Sequence, residues 1–169
     1  MRRVLTSDQE FVSFVKENQA RFYRLAFSYV KNSDDALDVV QEAVLKAYEK
    51  RHTLRREETM RTWFYRILVN ASIDALRRRQ RILCTDTVPE ESGGGPETAV
   101  LDAMALSEAL ERLNPELKSV VLLRFFEDMK LSEIAQVLGI PLSTVKNRLY
   151  RALTLLRVDL EAEEGCELS

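Results

Sequence analysis

The stretch LSEIAQVLGIPLSTVKNRLYRALTLLR, residues 131–157, constrains the fold of this 169-residue chain more than any other. It reads as a helix, a tight turn at Gly139-Ile140-Pro141, and a second helix. Ile134, Leu138, Ile140, Val145 and Leu149 fall at spacings that turn apolar side chains into the angle between two crossing helices. Ala135 is small where the second helix must approach, and Gly139 accepts the positive φ that ends the first. Pro141 cannot extend that first helix. The second helix carries Lys146, Arg148, Arg151 and Arg157, with no acid between residues 142 and 157. A helix-turn-helix whose second helix is cationic suits the DNA major groove. An αα-hairpin with a solvated basic face would share the periodicity, but the one-sided charge and the Ala–Gly–apolar spacing favour DNA binding.

The remaining sequence fits an all-α frame of two small helical domains joined by a flexible linker. With 5 Gly and 4 Pro among long stretches of Leu, Ala, Glu and Arg, helix is predicted nearly throughout. No apolar run approaches the roughly 20 residues that span a bilayer, and MRRVLTSDQE lacks the apolar core of a signal peptide, so a cytoplasmic location is expected. The net charge of −2 conceals segregation. Residues 61–81 hold six arginines against the single acid Asp74, whereas residues 82–111 hold seven acids and no base. Cys84 and Cys166 are too far apart in sequence to suggest a disulfide in a reducing compartment, and the single His52 cannot complete a zinc site. Free thiols, no metal and no cofactor are expected.

In chain order, Ser7 with Glu10 makes a capping box. The helix after it presents Phe11, Phe14, Val15, Phe22, Leu25, Ala26 and Tyr29 on one face. A second helix, opened by Asp34 and Asp35 and running to about Tyr48, buries Ala36, Val39, Val40, Ala43, Ala47 and Tyr48. Its other side carries Asp35, Asp38, Gln41, Glu42 and Lys46, which spacing alone reads as a solvated face. Residues 50–59 form a polar loop closed by Thr59 as an N-cap. A third helix, about 60–79, turns Phe64, Ile67, Leu68, Ala71 and Ala75 inward. Around it stand Trp63, Arg66, Asn70, Arg77, Arg78, Arg79 and Arg81, groups able to neutralise phosphate and stack on bases, with simple core packing of residues 63–65 as the alternative.

Residues 81–97, with Pro89, Gly93-Gly94-Gly95 and Pro96, break every periodicity and predict the linker. The domains then run 1–80 and 98–160, followed by an acidic, frayed tail over 161–169. In the second domain a helix over 98–113 uses Val100, Leu101, Met104, Leu106 and Leu110, and Asn114-Pro115 caps the next. That next helix, to about Glu127, is read as a core helix through Val120, Val121, Leu122, Leu123, Phe125 and Phe126.

Four blocks in order, DDALDVVQEAVLKAY (34–48), TWFYRILVNASIDALRRR (62–79), LNPELKSVVLLRFFEDMKLSEIAQVLGI (113–140) and PLSTVKNRLYRAL (141–153), resemble the extracytoplasmic-function sigma factors of bacterial RNA polymerase. Together they cover most of the chain outside its linker and termini. Asn114 and Ser143 depart from commoner residues, but Asn caps well and Ser is tolerated at a helix start. The resemblance implies sigma region 2 up to about residue 80 and region 4 from about 98 to 160. It implies that Asp35, Asp38, Gln41 and Glu42 dock on the clamp helices of the largest polymerase subunit. It assigns the −10 promoter element to His52, Arg55, Arg56, Arg61, Trp63, Arg66, Asn70, Arg77 and Arg78, with a base flipped into the loop. The −35 element falls to Ser143, Thr144, Lys146, Asn147, Arg148 and Arg151, with Asn147 and Arg151 at base edges and Lys146 and Arg148 at phosphates. The implied partners are core RNA polymerase (clamp helices and the flap of the second subunit), promoter DNA and an anti-sigma factor.

Two other classes compete. A self-sufficient helix-turn-helix regulator would bind a palindrome as a dimer and need neither the acidic second helix nor the aromatic-basic third. A nucleic-acid enzyme would need a carboxylate cluster, nucleophile–base pair or phosphate-binding glycine loop, none of which the sequence assembles. The chain is therefore not expected to be an enzyme.

Overall fold

The structure is a computed structural model that describes residues 8–54, 59–83 and 101–167. These residues are helical, joined by short turns, and form two compact units, one up to residue 83 and one from residue 101. Residues 84–97 of the predicted linker and the cap at Ser7 lie outside the described residues, as does Val100, while residues 81–83 continue the third helix.

The first unit is three helices, α1 (Asp8–Val30), α2 (Ser33–Lys50) and α3 (Met60–Leu83), each packed on the other two. The α1–α2 corner is tight because Lys31 adopts a left-handed φ of 56° and its N–H returns to the Phe27 carbonyl at 2.8 Å. Asn32 then caps α2, its Oδ1 accepting the Asp35 N–H at 3.0 Å. The cap is therefore Asn32, two residues before the predicted start. Ala36, Val39, Ala43 and Ala47 form the buried seam of α2, and their small volumes let the neighbouring helices approach closely. Val40 is only partly buried and Tyr48 is exposed, contrary to the expectation that both are core. Tyr48 instead carries the Arg51 guanidinium 3.9 Å over its ring, and that arginine also pairs with Asp8 at 3.0 Å.

An aromatic cluster joins α1 to α3. Phe22 meets Phe64 at 4.4 Å between ring centroids, and Phe14 and Tyr65 approach the pair edge-on at 5.6 Å each. Thr59 begins α3 as predicted, its Oγ1 accepting the Thr62 N–H at 3.3 Å. The helix runs to Leu83, past its predicted end, because nothing between Arg77 and Leu83 breaks it.

In the second unit, α4 (Leu101–Arg112), α5 (Pro115–Val121), α6 (Leu131–Leu138) and α7 (Leu142–Glu167) surround a separate core. Ala109, Leu110, Leu113, Leu117, Val121, Ala152 and Leu156 make one cluster of α4, α5 and the middle of α7. Asn114 caps α5 as its sequence predicts, with Oδ1 accepting the Leu117 N–H at 2.9 Å. Leu106 is exposed rather than core. After Val121 the helix widens into a π-turn over Leu122–Phe126, and Arg124 closes the exit by donating to the Met129 carbonyl at 2.9 Å. The widened turn changes the register, so Leu122 and Leu123 stay buried while Phe125 and Phe126 are 57% and 58% exposed. Reading both phenylalanines as core, from apolar content alone, is thereby corrected.

The predicted turn between α6 and α7 is present. Gly139 has φ +65°, and the Ile140 N–H reaches the Ala135 carbonyl at 3.2 Å. A methyl group at Gly139 would meet nothing within 4 Å, so the requirement for glycine is purely conformational. Helix α7 is helical past residue 161, through Glu167, with Glu161-Ala162-Glu163-Glu164 as strong helix formers in that stretch.

Two stability outcomes follow from this packing. Phe64→Ala should destabilise the first unit by about 3–5 kcal/mol, and Gly139→Ala the second by about 1 kcal/mol through its φ alone, with Gly139→Asn milder. Urea denaturation followed by circular dichroism would measure both. An unaltered midpoint for Phe64→Ala would remove the aromatic cluster from the centre of the core.

Candidate functional site

The acidic side of α2 divides into two faces. Asp34, Leu37, Asp38, Gln41 and Leu45 lie along one exposed strip, with Leu45 63% exposed. Leu37, Gln41 and Leu45 recur every four residues, a helical line that mixes apolar surface with acid and amide groups. Asp35 and Glu42 lie around the helix toward α3. Arg79 donates to Asp35, and Arg78 stands 3.6 Å from Glu42, which also accepts from Lys46 at 2.8 Å. Sequence reasoning groups Asp35, Asp38, Gln41 and Glu42 on one surface; in the structure Asp35, Asp38 and Glu42 all line a groove toward α3, with Asp38 at its outer edge, and Gln41 lies outside it. The structure also joins Glu42 to Arg78, residues assigned to different partners.

The electrostatics of Glu42 follow from this arrangement. The Lys46 hydrogen bond holds its carboxyl below the ordinary glutamate range; partial burial opposes that, and the charges of Lys46 and Arg78 reinforce it.

Along α3, Arg66, Asn70 and Arg77 share one side, with Asn70 and Arg77 exposed and Arg66 half-buried. Arg61 lies toward Tyr65, its guanidinium 6.0 Å from the ring centroid. His52 is exposed in a 3₁₀ turn, Arg51–Thr53, just after α2. Arg55 and Arg56 lie outside the described residues. Trp63 departs from its expected role: the indole is 6% exposed and offers no open face for a base to stack on.

On α7, Val145, Ala152 and Leu156 face the core, which turns Ser143, Lys146, Asn147 and Arg151 to the outside. Thr144 is half-buried. Arg148 falls between the two faces and pairs with Glu116 of α5 at 3.5 Å, so it braces the helix against its own unit. Tyr150 is 78% exposed beside Asn147 and Arg151, and Thr154 continues that line. Sequence reasoning omitted Leu37, Tyr150 and Thr154. A helical count from Gln41 would have found Leu37, and a count from Asn147 the other two.

No group of acids, histidines and cysteines fit to hold a metal occurs among the described residues, and no helix there is long and apolar enough to cross a membrane.

Comparison with known proteins shows the family. The family described as Sigma-70 region 2 matches residues 14–82, and that described as Sigma-70 region 4 matches residues 103–156. RNA polymerase sigma factor SigV of Bacillus subtilis (strain 168) is 46% identical over 165 residues, covering 97% of this chain and 99% of the relative. The chain belongs to the extracytoplasmic-function sigma factors. RNA polymerase sigma-E factor of Streptomyces coelicolor is 31% identical to this sigma factor over 156 residues, covering 92% and 88% of the two chains. The solved structure of RpoE in complex with the anti-sigma factor NepR, from Bartonella quintana, shares the fold with a TM-score of 0.76. It covers 90% of this chain and 98% of that one at 21% identity. CnrH, solved in complex with the cytosolic domain of CnrY, matches with a TM-score of 0.71 and 23% identity, covering 92% and 90%.

For this sigma factor the lowered Glu42 carboxyl makes a signed expectation. A depressed folded value contributes stability above the ordinary glutamate value, lost as pH falls through the folded one. The stability gap between the wild type and Glu42→Gln should therefore be largest near neutrality and close as pH falls below about 4. Chemical denaturation across that range would test it, and a gap independent of pH would exclude the ion pairs as its source.

Proposed function

We propose that this sigma factor docks on core RNA polymerase through the outer strip of α2, meets the −10 element with α3 and the loop before it, and reads the −35 element with α7. The observation that carries the reading is the sorting of exposed side chains by face. Acid, amide and leucine groups line α2, while arginine, lysine, asparagine and tyrosine groups line α3 and α7. A mixed apolar and acidic strip suits a basic protein helix, and a cationic strip suits phosphate.

In this reading Leu37, Asp38, Gln41 and Leu45 contact the clamp helices of the largest subunit, with Asp35 and Glu42 at the rim. Arg61, Arg66, Asn70 and Arg77 follow the backbone near the −10 element, and His52 stands where the loop leaves α2. Trp63 supports that surface from beneath rather than stacking on DNA. Asn147 and Arg151 address base edges, Tyr150 supplies apolar contact beside them, and Ser143, Thr144 and Lys146 address phosphates. Phe125 and Phe126, exposed on the turn before α6, are the apolar groups available to the polymerase flap. An anti-sigma factor covering the same faces would keep the chain silent in the cytoplasm. The chain does no bond chemistry itself; its work is to place polymerase on a promoter and favour strand opening.

Co-purification with bacterial core polymerase followed by run-off transcription from a genomic library tests the whole reading. Stable association and a shared two-block promoter pattern are expected. Tight, polymerase-independent binding to a palindrome would instead make the chain a stand-alone regulator. Asp38→Lys combined with Leu45→Glu should cut association with core at least tenfold while leaving the thermal melt in place; normal association would refute the docking strip. Arg151→Ala should cost about 1–3 kcal/mol of discrimination at one −35 position, and Lys146→Ala should weaken all sequences alike.

A further inference from the structure

The last arginines of α3 do not act as one basic end. Arg77 is exposed on the side of Asn70, whereas Arg78 and Arg79 turn back across a groove between α2 and α3. That groove, about 610 Å³ in volume, is lined by Asp35, Asp38, Glu42, Arg78, Arg79 and Ile82 among others. Arg79 is bound to Asp35 and Arg78 lies 3.6 Å from Glu42. The acids at the rim of the docking strip are thus already met by cations of the same chain. Those cations come from the helix that the reading above turns toward DNA.

We infer that these two pairs form an exchange latch between polymerase docking and DNA binding. A lysine- or arginine-bearing helix of the polymerase that takes Asp35 and Glu42 displaces Arg79 and Arg78, whose guanidinium groups then turn to promoter phosphates. The inference rests on the docking reading. Asp35 is met by Arg79, and Glu42 by Lys46 at 2.8 Å as well as by Arg78, so an incoming cation competes with resident cations for each carboxylate. Pairs between partly exposed side chains are weak individually, which makes them exchangeable rather than structural. Two released guanidiniums add two phosphate contacts, each expelling condensed counterions. Because linkage is reciprocal, DNA on the released arginines also tightens the hold on polymerase. In the free chain Arg78 and Arg79 are neutralised, and stray DNA competes poorly for them.

The full chain without polymerase tests the hold directly. Binding of a fluorescein-labelled 20-nucleotide thymidine strand would be followed by anisotropy as salt is raised. Asp35→Asn with Glu42→Gln removes the hold and should tighten binding about three- to tenfold, with the salt slope steeper by about 1.4 for two added phosphate contacts on a single strand. Glu17→Gln with Glu49→Gln removes the same charge from exposed positions outside the groove and should change binding less than twofold. Adding Arg78→Ala and Arg79→Ala to the groove variant should erase its gain. Thermal melts establish that every variant folds. Equal gains from both acid pairs, or a gain that survives loss of the arginines, would overturn the latch. A wild-type chain that binds core polymerase but shows no gain in the groove variant sinks the latch alone. Failure of the wild type to bind core sinks the docking reading, and the latch with it.

Discussion

The seam of small residues on α2 sets the geometry on which the first unit depends. Ala36, Ala43 and Ala47, with Val39, are buried where α2 meets its neighbours. Methyl-sized side chains let helix axes close, and larger ones would force the neighbours apart at a cost of roughly 1–3 kcal/mol. Close approach is also what brings the polar edge of α2 within reach of α3. Asp35 and Glu42 can meet Arg79 and Arg78 only because the alanines beside them hold the two helices together. The aromatic cluster of Phe14, Phe22, Phe64 and Tyr65 joins α1 to α3. Core volume and charge placement are consequences of one packing choice.

The second unit solves a related problem on a single helix. In the proposed reading, helix α7 presents base-reading groups outward while being gripped firmly enough to hold them in register. Val145, Ala152 and Leu156 provide the grip, at spacings that keep them on one stripe. Arg148, at the border of that stripe, pairs with Glu116 and resists rotation of the helix about its axis. The exposed side is left to Asn147, Tyr150 and Arg151, whose chemistry can differ without disturbing the core. Gly139 fixes the angle between α6 and α7 by adopting a conformation that L side chains enter at a cost. The exposed side of this helix is therefore separable from its folding, while the bordering Arg148 is paired with the scaffold.

What could be read from the chain was local. Asn114-Pro115, Thr59 and Gly139 announce their turns because caps and left-handed corners depend on neighbours within a few residues. The helical periods of α1, α2 and α3 identified most of the buried residues, and four ordered blocks were enough to suggest the family. Errors fell where local pattern meets a non-local event. Phe125 and Phe126 look like core by composition, but the π-turn rotates them outward, and hydrophobicity does not encode a change of helical register. Trp63 sits among arginines in sequence, yet its indole is buried.

The sequence by itself determined that this chain is helical, that one helix-turn-helix ends in a cationic helix, and that acids and arginines are segregated along its length. Those properties are set by propensity, periodicity and composition, which act over one or two helical turns. Only the tertiary structure decided which acids meet which arginines. The pairing of Asp35 with Arg79 spans 44 residues of chain and depends on how closely two helices pack. It ties Asp35 and Glu42 to α3 while Gln41 and Leu45 stay exposed, because charge interactions follow distance in space and not order in sequence.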